Sequence, residues 1–377
     1  NLLTFKTASL KRLIAPLLFA TTLGLLHFGI WSISNRSLPA MNAPTIVRGF
    51  AYSGFQEQQS PSRKEYPSTA ELEKDLILLR PLTERIRIYG ALDNSEVTAL
   101  ASNLGFYVTA GAWLGSDFDL NQREIEALKS KIKNYPHIER AIVGNEVLLR
   151  NDLPPETLYT YLDEVRKNTS LPISTAEPWH VWLKNPDMVK HVDFIAVHLL
   201  PYHEGLPVEK AVDYSLERYQ ALMEKFPRKK IVITEIGWPS HGPTIGAAVA
   251  SDVNQARFVR EFLAKTTHKS YDYYLMEAFD QPWKQEIEGW AGAYWGMFDA
   301  ARHQKYSLQG AVPKDSRWEE KALWATLLAF FPILFIGYRF RHWGIGGRFS
   351  MAILLQACIT TLVVAWNLPG DYYYTLR

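Results

Sequence analysis

The sequence predicts an α/β fold, a (β/α)8 TIM barrel with one N-terminal and two C-terminal transmembrane helices. Three observations lead to this fold class. In the middle of the chain, eight short apolar runs alternate with longer amphipathic stretches, a pattern typical of parallel strands joined by helices. Three longer apolar runs flank that part. The chain has 377 residues, which is more than the roughly 250 that one barrel needs, so both parts fit.

Each predicted strand is a run rich in β-branched or aromatic residues. The runs are TIVRGFAYS from Thr45, ERIRIYGAL from Glu84, FYVTAGAWL from Phe106, IERAIVGNEV from Ile138, LPISTAEPW from Leu171, VDFIAVHLLPY from Val192, KKIVITEIGW from Lys229 and YYLMEAFD from Tyr273. Charged and aromatic residues crowd the C-terminal ends of these runs, where barrels of this kind build their sites.

Between the strands, five stretches repeat apolar residues at helical spacing. They are STAELEKDLILLR, NQREIEALKSKI, PPETLYTYLDEVRK, VEKAVDYSLERYQALMEKF and SDVNQARFVREFLAK. A doubly wound open sheet is the alternative with the same alternation, but it would place a glycine-rich phosphate turn after the first strand. The sequence has no such turn there, so we favour the closed barrel.

Three apolar runs, Leu13–Ile33, Ala322–Tyr338 and Phe349–Leu368, have about the length that crosses a bilayer. A cleaved signal peptide is the alternative for the first run, which is long for such a peptide and lacks an A-x-A pattern. Buried core helices are the alternative for the other two. We expect an N-terminal anchor at residues 1–38, a catalytic domain at 39–318 and a transmembrane hairpin at 319–377.

Positive charges flank these runs on one side. Lys6, Lys11 and Arg12 precede the first run, and the loop RFRHWGIGGR separates the last two, with no acidic residue in either stretch. Such residues mark the cytoplasmic side of a membrane. Residues from about 39 to 318 are therefore expected on the opposite side, and we expect a bacterial inner membrane with the catalytic domain facing the periplasm.

Composition excludes some classes of function. The 41 basic and 39 acidic residues give a net charge of +2, too little to neutralise a phosphate backbone, so no nucleic-acid partner is expected. The single cysteine, Cys358, excludes a disulfide framework and a cysteine-ligated metal site. The 12 Trp and 19 Tyr residues suit stacking against sugar faces, although tryptophan also collects at membrane interfaces.

Two predicted strands deliver a glutamate at their C-terminal tips. Strand four ends in VGNEV with Glu146, and strand seven ends in ITEIGW with Glu235. By alternation, Glu235 shares a face with Ile231 and Ile233, and Glu146 shares one with Ile142 and Gly144, which we expect to be the face toward the barrel axis. A structural salt bridge is the alternative for either residue alone. A glutamate near a barrel core needs a partner or a function.

Four segments carry a family resemblance: VGNEVLLR, ITEIGWPS, NQARFVREFL and YWGMFDAARHQKYSL. Over about residues 45 to 310 the chain resembles glycoside hydrolase family 17, the β-1,3-glucanase and β-1,3-glucanosyltransferase family, and in particular its bacterial membrane-anchored type. The resemblance implies that Glu146 is the general acid/base, that Asn145 holds a substrate hydroxyl and that Glu235 is the nucleophile.

Retaining glycosidases need one protonated and one ionised carboxyl group, about 5 to 5.5 Å apart. We expect Arg87 to keep Glu235 ionised, while dry surroundings and the neighbouring negative charge keep Glu146 protonated. Tyr202 is expected to hydrogen-bond the nucleophile. A purely structural role is the alternative for Arg87 and Tyr202.

Aromatic residues near the predicted barrel mouth are candidate sugar platforms, although such residues often only close a barrel. They are Tyr52, Tyr89, Trp179, Trp238, Phe279, Trp283 and Trp295. Glu277 and Lys284 match the charged stretch that lines the cleft in the family, and His198 is a candidate for the donor subsite. The histidines show no metal-ligand spacing, so we expect no metal and no cofactor.

The predicted function is that of a membrane-anchored retaining enzyme that cleaves β-1,3-glucan and transfers the glycosyl unit to another glucan. The predicted partners are a β-glucan polysaccharide, the lipid bilayer and a glycosyltransferase or glucan synthase. A plain endo-β-1,3-glucanase is the first alternative, because water and a sugar hydroxyl use the same carboxylates. A non-catalytic glucan-binding module of a synthase complex is the second alternative.

Overall fold

The computed structural model describes residues 2–93, 96–315 and 317–366. The chain forms two compact units, one spanning Pro39–Val312 and the other built from the segments on either side of it. The predicted division into 1–38, 39–318 and 319–377 stays a prediction.

Eight parallel strands close into a barrel in chain order. The last strand pairs back with the first through Phe50 and Leu275. All eight predicted strands are present, although each is shorter than its apolar run. They are β1 (Phe50–Ala51), β2 (Arg85–Arg87), β3 (Tyr107–Ala112), β4 (Ile138–Asn145), β5 (Ile173–Pro178), β6 (Phe194–Leu199), β7 (Lys230–Ile236) and β8 (Asp272–Leu275).

Helices connect the strands on the outside of the barrel. They are α2 (Thr69–Leu79), α3 (Val97–Asn103), α4 (Phe118–Asn134), α5 (Pro155–Arg166), α6 (Trp179–Lys184), α7 (Val208–Lys225) and α8 (Asp252–Thr266). The long N-terminal α1 (Leu2–Ser34) precedes β1, and the short α9 (Gln285–Glu288) follows β8. All five predicted connecting helices are present. The short α3, α6 and α9 were not predicted, because so few residues cannot show a helical period.

Local sequence explains where several helices begin. Ser68 caps α2 in a capping box with Glu71, and Asp117 and Ser251 accept backbone N–H groups at the starts of α4 and α8. These caps satisfy donors that a helix leaves open at its first turn. Pro155 occupies the first turn of α5, where its missing N–H costs nothing.

A cluster of buried residues from neighbouring strands fills the barrel interior. It consists of Ile142, Ala176, Phe194, Ala196, Val232 and Tyr274. Because Val232 belongs to this cluster, its neighbours Ile231 and Ile233 face away from the axis. The predicted inward direction of those two isoleucines is therefore wrong.

Buried Arg260 on α8 ties the two ends of the barrel unit together. Its guanidinium donates to the carbonyls of Met41 and Ala40 at one end, at 2.6 and 3.2 Å, and of Ser307 and Gly310 at the other. The backbone N–H of Ala43 also donates to Leu308, at 3.0 Å. The segments entering and leaving the barrel are therefore adjacent.

The second unit contains three apolar helices, namely α1, α10 (Trp318–Arg339) and α11 (Ile345–Trp366). Each contains a stretch long and apolar enough to cross a bilayer: Ile14–Ser34, Trp318–Arg339 and Ile345–Trp366. The end of the predicted third run, at Leu368, lies outside the described residues. With the closed barrel and these three helices, the predicted fold class is confirmed.

Small residues and one histidine connect the three apolar helices. Ala20, Ala329 and Ala352 are buried in a shared cluster, which lets the helix backbones approach closely. The ring of His27 on α1 lies 2.9 Å from the Thr326 hydroxyl on α10 and 3.0 Å from the Thr360 hydroxyl on α11. A single side chain thus contacts both other helices.

Candidate active site

A cleft of about 810 Å³ opens at the C-terminal ends of the barrel strands. Both glutamates singled out from the sequence, Glu146 and Glu235, line it. Active sites of (β/α)8 barrels lie at this end of the strands, so the position of the cleft is that of a candidate active site.

Glu235 lies in β7 and is 3% exposed. Its direction depends on an irregularity in the strand, because the pairing of β7 with β6 shifts register between Val197 and His198. Val197 pairs with Ile233 and His198 pairs with Glu235, which makes Thr234 an extra residue. An extra residue reverses the alternation of side chains. Glu235 therefore turns into the barrel mouth although Ile231 and Ile233 face outward.

Glu146 follows β4 directly, at a sharp bend. Gly144 and Glu146 both have positive φ angles, of 85° and 54°, and the pairing of β4 with β5 shifts register between Ile142 and Asn145. The backbone N–H of Glu146 still donates to the Ala176 carbonyl of β5, at 2.7 Å. Left-handed backbone is uncommon for a residue with a side chain. The bend, rather than strand alternation, aims Glu146 at the cleft.

His198 on β6 lies between the two glutamates. Its Nδ1 is 2.9 Å from Oε1 of Glu146 and 3.4 Å from Oε2 of Glu235. One oxygen of each carboxylate and one nitrogen of the ring all lie within 4.8 Å of one another. Such a group could hold a cation, so the expectation of no metal stays a prediction.

Arg87 on β2 is buried beneath the glutamates. It donates to Oε1 of Glu235 at 2.8 Å and to the Thr234 carbonyl at 3.0 Å, and it also donates to Oδ1 of Asn145. The side chains of Arg87 and Glu235 are only 1% and 4% exposed. Each of the two buried charges is therefore compensated by the other. Arg87 thus connects the nucleophile candidate with Asn145, the residue before Glu146.

The electrostatics of Glu146 differ from the expectation. Burial raises the pKa of Glu146, but the contact with His198 and the positive charges of Arg150 and Arg87 together outweigh burial. The pKa of Glu146 therefore lies below its ordinary value, which is opposite in direction to the expected effect of dry surroundings. The cause is the contact with His198, which the sequence could not reveal.

Several other predicted site residues also line the cleft. They are Tyr52, Tyr89, Asn145, Trp179, His198, Trp283 and Lys284. Burial, and then the negative charge of the neighbouring Glu235, raise the pKa of Tyr89. Its ring centre is also 4.5 Å from the Arg87 guanidinium carbon. Trp179 donates its indole N–H to Glu204 at 3.0 Å and starts helix α6.

Three predicted platforms and the predicted hydrogen-bond partner of the nucleophile, Tyr202, lie away from the cleft lining and pack inside the barrel unit. Tyr202, Trp238, Phe279 and Trp295 are at most 2% exposed. Tyr202 donates its hydroxyl to the Pro243 carbonyl and packs edge-on against Trp238 and Trp295. The expected hydrogen bond from Tyr202 to the nucleophile is therefore absent from the described contacts. Phe279 packs against Tyr52 and so supports the lining from behind.

Glu277 and Lys284 form a buried ion pair. The Lys284 ammonium lies 2.9 and 2.8 Å from the two oxygens of Glu277. Burial raises the pKa of Glu277 to about 7, and the Lys284 charge opposes that rise. Lys284 reaches the cleft lining and Glu277 does not, so the Glu277 carboxylate lies behind the lining, in contact with Lys284.

The sequence did not single out several further lining residues. Phe55, Trp113, Leu149, Arg150, His180, His203, Glu204, Ile287 and Glu288 all line the cleft. Arg150 stacks on Trp113, with 4.6 Å between its guanidinium carbon and the ring centre. Most of these residues lie in the loops that follow the strands. Trp113 could have been found from the sequence, because it follows the end of β3 directly.

Comparison with known proteins identifies the family. The profile of the BtgE/BtgC glycoside hydrolase domain matches residues 49–296. The chain belongs to the BtgE/BtgC glycoside hydrolase family. This result confirms the resemblance found in the sequence.

Among curated relatives of this BtgE/BtgC family member is "Probable glucan endo-1,3-beta-glucosidase btgC" of Aspergillus fumigatus, 27% identical over 71% of this chain and 44% of the relative. The "Glucan 1,3-beta-glucosidase" of Schizosaccharomyces pombe is 29% identical over 62% of this chain and 79% of the relative. The chain thus spans less than half of the Aspergillus relative's length.

A solved structure with the same fold is the glycoside hydrolase family 17 β-1,3-glucanosyltransferase from Rhizomucor miehei. It is 25% identical, with a TM-score of 0.62 over 71% of this chain and 98% of that one. An active-site mutant of the Rhizomucor enzyme has been solved in complex with laminaritriose and matches equally well.

Proposed function

We propose that this BtgE/BtgC family member is a retaining enzyme that cleaves β-1,3-glucan and transfers the glycosyl unit to another glucan. The observation that carries the retaining mechanism is the close approach of the carboxylates, with one oxygen of Glu146 and one of Glu235 within 4.8 Å. Retaining enzymes have carboxyl groups about 5 to 5.5 Å apart, whereas inverting enzymes leave about 6.5 to 9.5 Å for a water molecule.

In the first step, Glu235 attacks the anomeric carbon and Glu146 gives a proton to the departing glycosidic oxygen. Arg87 supports this role of Glu235, because its guanidinium donates to Oε1 of Glu235 at 2.8 Å and so orients the carboxylate. Glu146 must be protonated at this point. A sugar that separates Glu146 from His198 removes the contacts that most strongly lower the pKa of Glu146.

In the second step, Glu146 takes a proton from an incoming hydroxyl, whose oxygen bonds to the anomeric carbon as the bond to Glu235 breaks. With a sugar hydroxyl the product is a new glycosidic bond, and with water it is a free reducing end. The likeness to the Rhizomucor glucanosyltransferase favours transfer. The names of the Aspergillus and Schizosaccharomyces relatives favour hydrolysis as the alternative outcome.

The β-1,3-glucan substrate is supported by both groups of relatives and by the laminaritriose complex of the Rhizomucor enzyme. The cleft suits such a chain, because aromatic residues including Phe55, Trp113, Trp179 and Trp283 line it. Rings of this kind stack on sugar faces. A non-catalytic binding module would have no use for a buried Arg87–Glu235 pair beside a second carboxylate.

Anchoring in a membrane is part of the proposal, with the three apolar helices as its support. The positive residues before the first apolar run and between α10 and α11 favour a barrel on the non-cytoplasmic side. A bacterial inner membrane stays a prediction, since the curated relatives named above are fungal. A glycosyltransferase or glucan synthase as a protein partner also stays a prediction.

Incubation of the purified protein with laminari-oligosaccharides of one defined length tests the proposal. Products longer than the donor indicate transfer, products that are only shorter indicate a hydrolase, and an unchanged donor in a folded protein indicates a binding module. NMR of the first products reports the anomer, and an initial β anomer is expected for retention. Glu235→Gln is the control that must lack every product.

A further inference from the structure

A third glutamate, Glu177 on β5, lies near the proposed catalytic pair and has no part in the proposed function. It is 0% exposed. Its Oε1 accepts the backbone N–H of Leu148 at 2.7 Å, and its Oε2 accepts the backbone N–H of Leu149 at 3.2 Å. Both oxygens of a buried carboxylate are therefore bonded to consecutive amides of one turn.

That turn begins at Glu146. The N–H of Arg150 donates to the Glu146 carbonyl at 2.9 Å, which closes the turn over residues 146–150. Glu177 thus contacts the backbone immediately after Glu146, while its own hydrogen bonds go to the turn rather than to the Glu146 side chain. Glu177 would therefore affect the reaction by fixing the position of this turn.

Consecutive residues of β5 hold the bend around Glu146. The Thr175 hydroxyl donates to the Gly144 carbonyl at 3.1 Å, and the Ala176 carbonyl accepts the N–H of Glu146 at 2.7 Å. Glu177 extends this series to the amides of the following turn. Contacts on both sides of Glu146 therefore come from three neighbouring residues of one strand.

The bend requires such support. Glu146 has a φ of 54°, a left-handed conformation that costs free energy for a residue with a side chain. Conformations of this kind persist only where the surroundings over-determine them. A carboxylate that accepts two N–H groups at once supplies two of the bonds that fix the turn.

We propose that Glu177 is a positioning residue that fixes the turn after Glu146 and so holds the acid/base carboxyl at the glycosidic oxygen. This inference rests on the proposed role of Glu146. Titratable groups face Glu177 from both adjacent strands, namely His198 on β6 and Glu146 at the end of β4. Loss of Glu177 should impair proton transfer to the leaving group while sparing attack by Glu235.

The test compares two donors on the full-length protein. Laminari-oligosaccharides need a proton on the leaving oxygen, whereas 2,4-dinitrophenyl β-laminaribioside does not. Azide is added with the second donor so that the second step needs no base. Glu177→Gln keeps the size of the side chain but leaves a single acceptor oxygen, and its NH2 group then faces one of the two backbone N–H groups.

The matched control is Glu124→Gln. Glu124 on α4 is 3% exposed and accepts the backbone N–H groups of Ala91, Leu92 and Trp113, at 2.6, 3.2 and 3.1 Å. It therefore has the same capping function, but on the loops after β2 and β3 instead of the turn of Glu146. Glu146→Ala is run in parallel as the reference for complete loss of acid assistance.

Glu177→Gln is expected to lower kcat on the oligosaccharide about 10- to 100-fold, because a small displacement of a catalytic group has effects of this size. Its rate on the activated donor with azide should stay within about threefold of wild type, since acid assistance is not used there. Glu146→Ala should show the same selectivity with a larger loss. Glu124→Gln should change the rates on both donors by the same factor.

Equal losses on both donors in a folded Glu177→Gln protein, or no loss on either, would overturn the positioning role. If that variant does not fold, Glu177→Asp is measured by the same criterion, since it keeps the charge but withdraws it by one methylene. If Glu146→Ala lacks the selectivity, the acid/base assignment fails and the role of Glu177 fails with it. If Glu146→Ala loses activity only on the oligosaccharide while Glu177→Gln does not, the role of Glu177 is overturned and the acid/base assignment of Glu146 stands.

Discussion

Replacement of Arg87 by methionine tests the electrostatic basis of the site. Methionine has a similar length but no charge and no donor. The Arg87→Met variant deprives Glu235, the Thr234 carbonyl and the Asn145 amide oxygen of the guanidinium that donates to all three. Since the side chain of Glu235 is only 4% exposed, solvent offers little compensation.

The size of the effect follows from burial. Removing one partner of a buried ion pair costs about 3–5 kcal/mol, because a charge is left uncompensated. For a domain of this size each kcal/mol shifts Tm by roughly 2–4 °C, so we expect a decrease of about 6–20 °C. Glu235 also loses the partner that orients it, and kcat on β-1,3-glucan should fall at least about 100-fold if Glu235 is the proposed nucleophile.

Thermal unfolding followed by tryptophan fluorescence measures the first effect, and product formation at a temperature where the variant remains folded measures the second. Arg302→Met is the matched control. Arg302 donates to both oxygens of buried Asp75 at 2.8 Å, and Asp75 lies on α2, behind Tyr52 rather than beside the catalytic pair. The control should lose comparable stability but keep kcat within a few-fold.

Wild-type kcat in a destabilised Arg87→Met protein would refute the idea that Arg87 orients Glu235 for attack. Unchanged stability as well as unchanged kcat would refute the buried ion pair itself. Arg87→Lys separates charge from geometry, because lysine keeps the charge but offers one head group in place of the planar fork. Its kcat should lie between those of wild type and Arg87→Met.

Four further outcomes are expected. Glu235→Ala should lose turnover and regain it with inverted product when azide is added, whereas recovery with retained configuration would contradict the nucleophile assignment. Burial raises the pKa of Glu177 from 4.5 to about 7, so folding takes up a proton between these values. Wild-type stability should therefore fall with rising pH across that window, by up to roughly 1.4 kcal/mol per unit from this group. Urea denaturation should show a flatter profile for Glu177→Gln, and an identical slope would count against the shifted pKa. A chelator should leave activity unchanged, and a loss restored by one divalent metal would show that the site holds a cation. In spheroplasts, protease added outside should digest residues 39–318 and spare the RFRHWGIGGR loop, while digestion only after lysis would overturn the proposed topology.

The barrel could be predicted because its strands and helices have different periods. Runs such as KKIVITEIGW are too short and too β-branched for helices, and the stretches between them repeat apolar residues at helical spacing. The strand ends were less predictable. Strand β1 already ends at Ala51, although the run that predicted it continues to Ser53, because composition does not show where ladder hydrogen bonding stops.

The candidate pair of Glu146 and Glu235 was singled out from the sequence and lines the cleft, but part of the reasoning was wrong. Simple alternation put Glu235 on the same face as Ile231 and Ile233, whereas Val232 belongs to the interior cluster. The extra residue Thr234 restores the inward direction of Glu235. Irregularities of one residue leave no mark in a hydrophobic pattern, so a strand-end direction cannot be derived from alternation alone.

Aromatic residues at strand ends were equally ambiguous. Trp179 and Trp283 line the cleft, whereas Trp238 and Trp295 are buried among other rings. All four follow strands in the sequence. Which of them faces a sugar depends on loop paths that no local pattern encodes, and the same limit explains why Arg150 and His203 were missed.

The histidine shared by the three apolar helices has a consequence for biosynthesis. Trp31, one turn from His27, can donate to Nε2 as soon as α1 exists. The partner of Nδ1, Thr326, lies 299 residues further along the chain. At about 5–20 residues per second, roughly 15–60 s pass before it is made, and in the proposed topology the whole barrel crosses the bilayer in that time. In that topology the first helix lies in the lipid during this time with Nδ1 of His27 unpaired, which is costly there. Packing of the three apolar helices then becomes the last event of assembly. A chain that stops before Thr326 keeps an unpaired ring nitrogen of His27 within its first apolar helix.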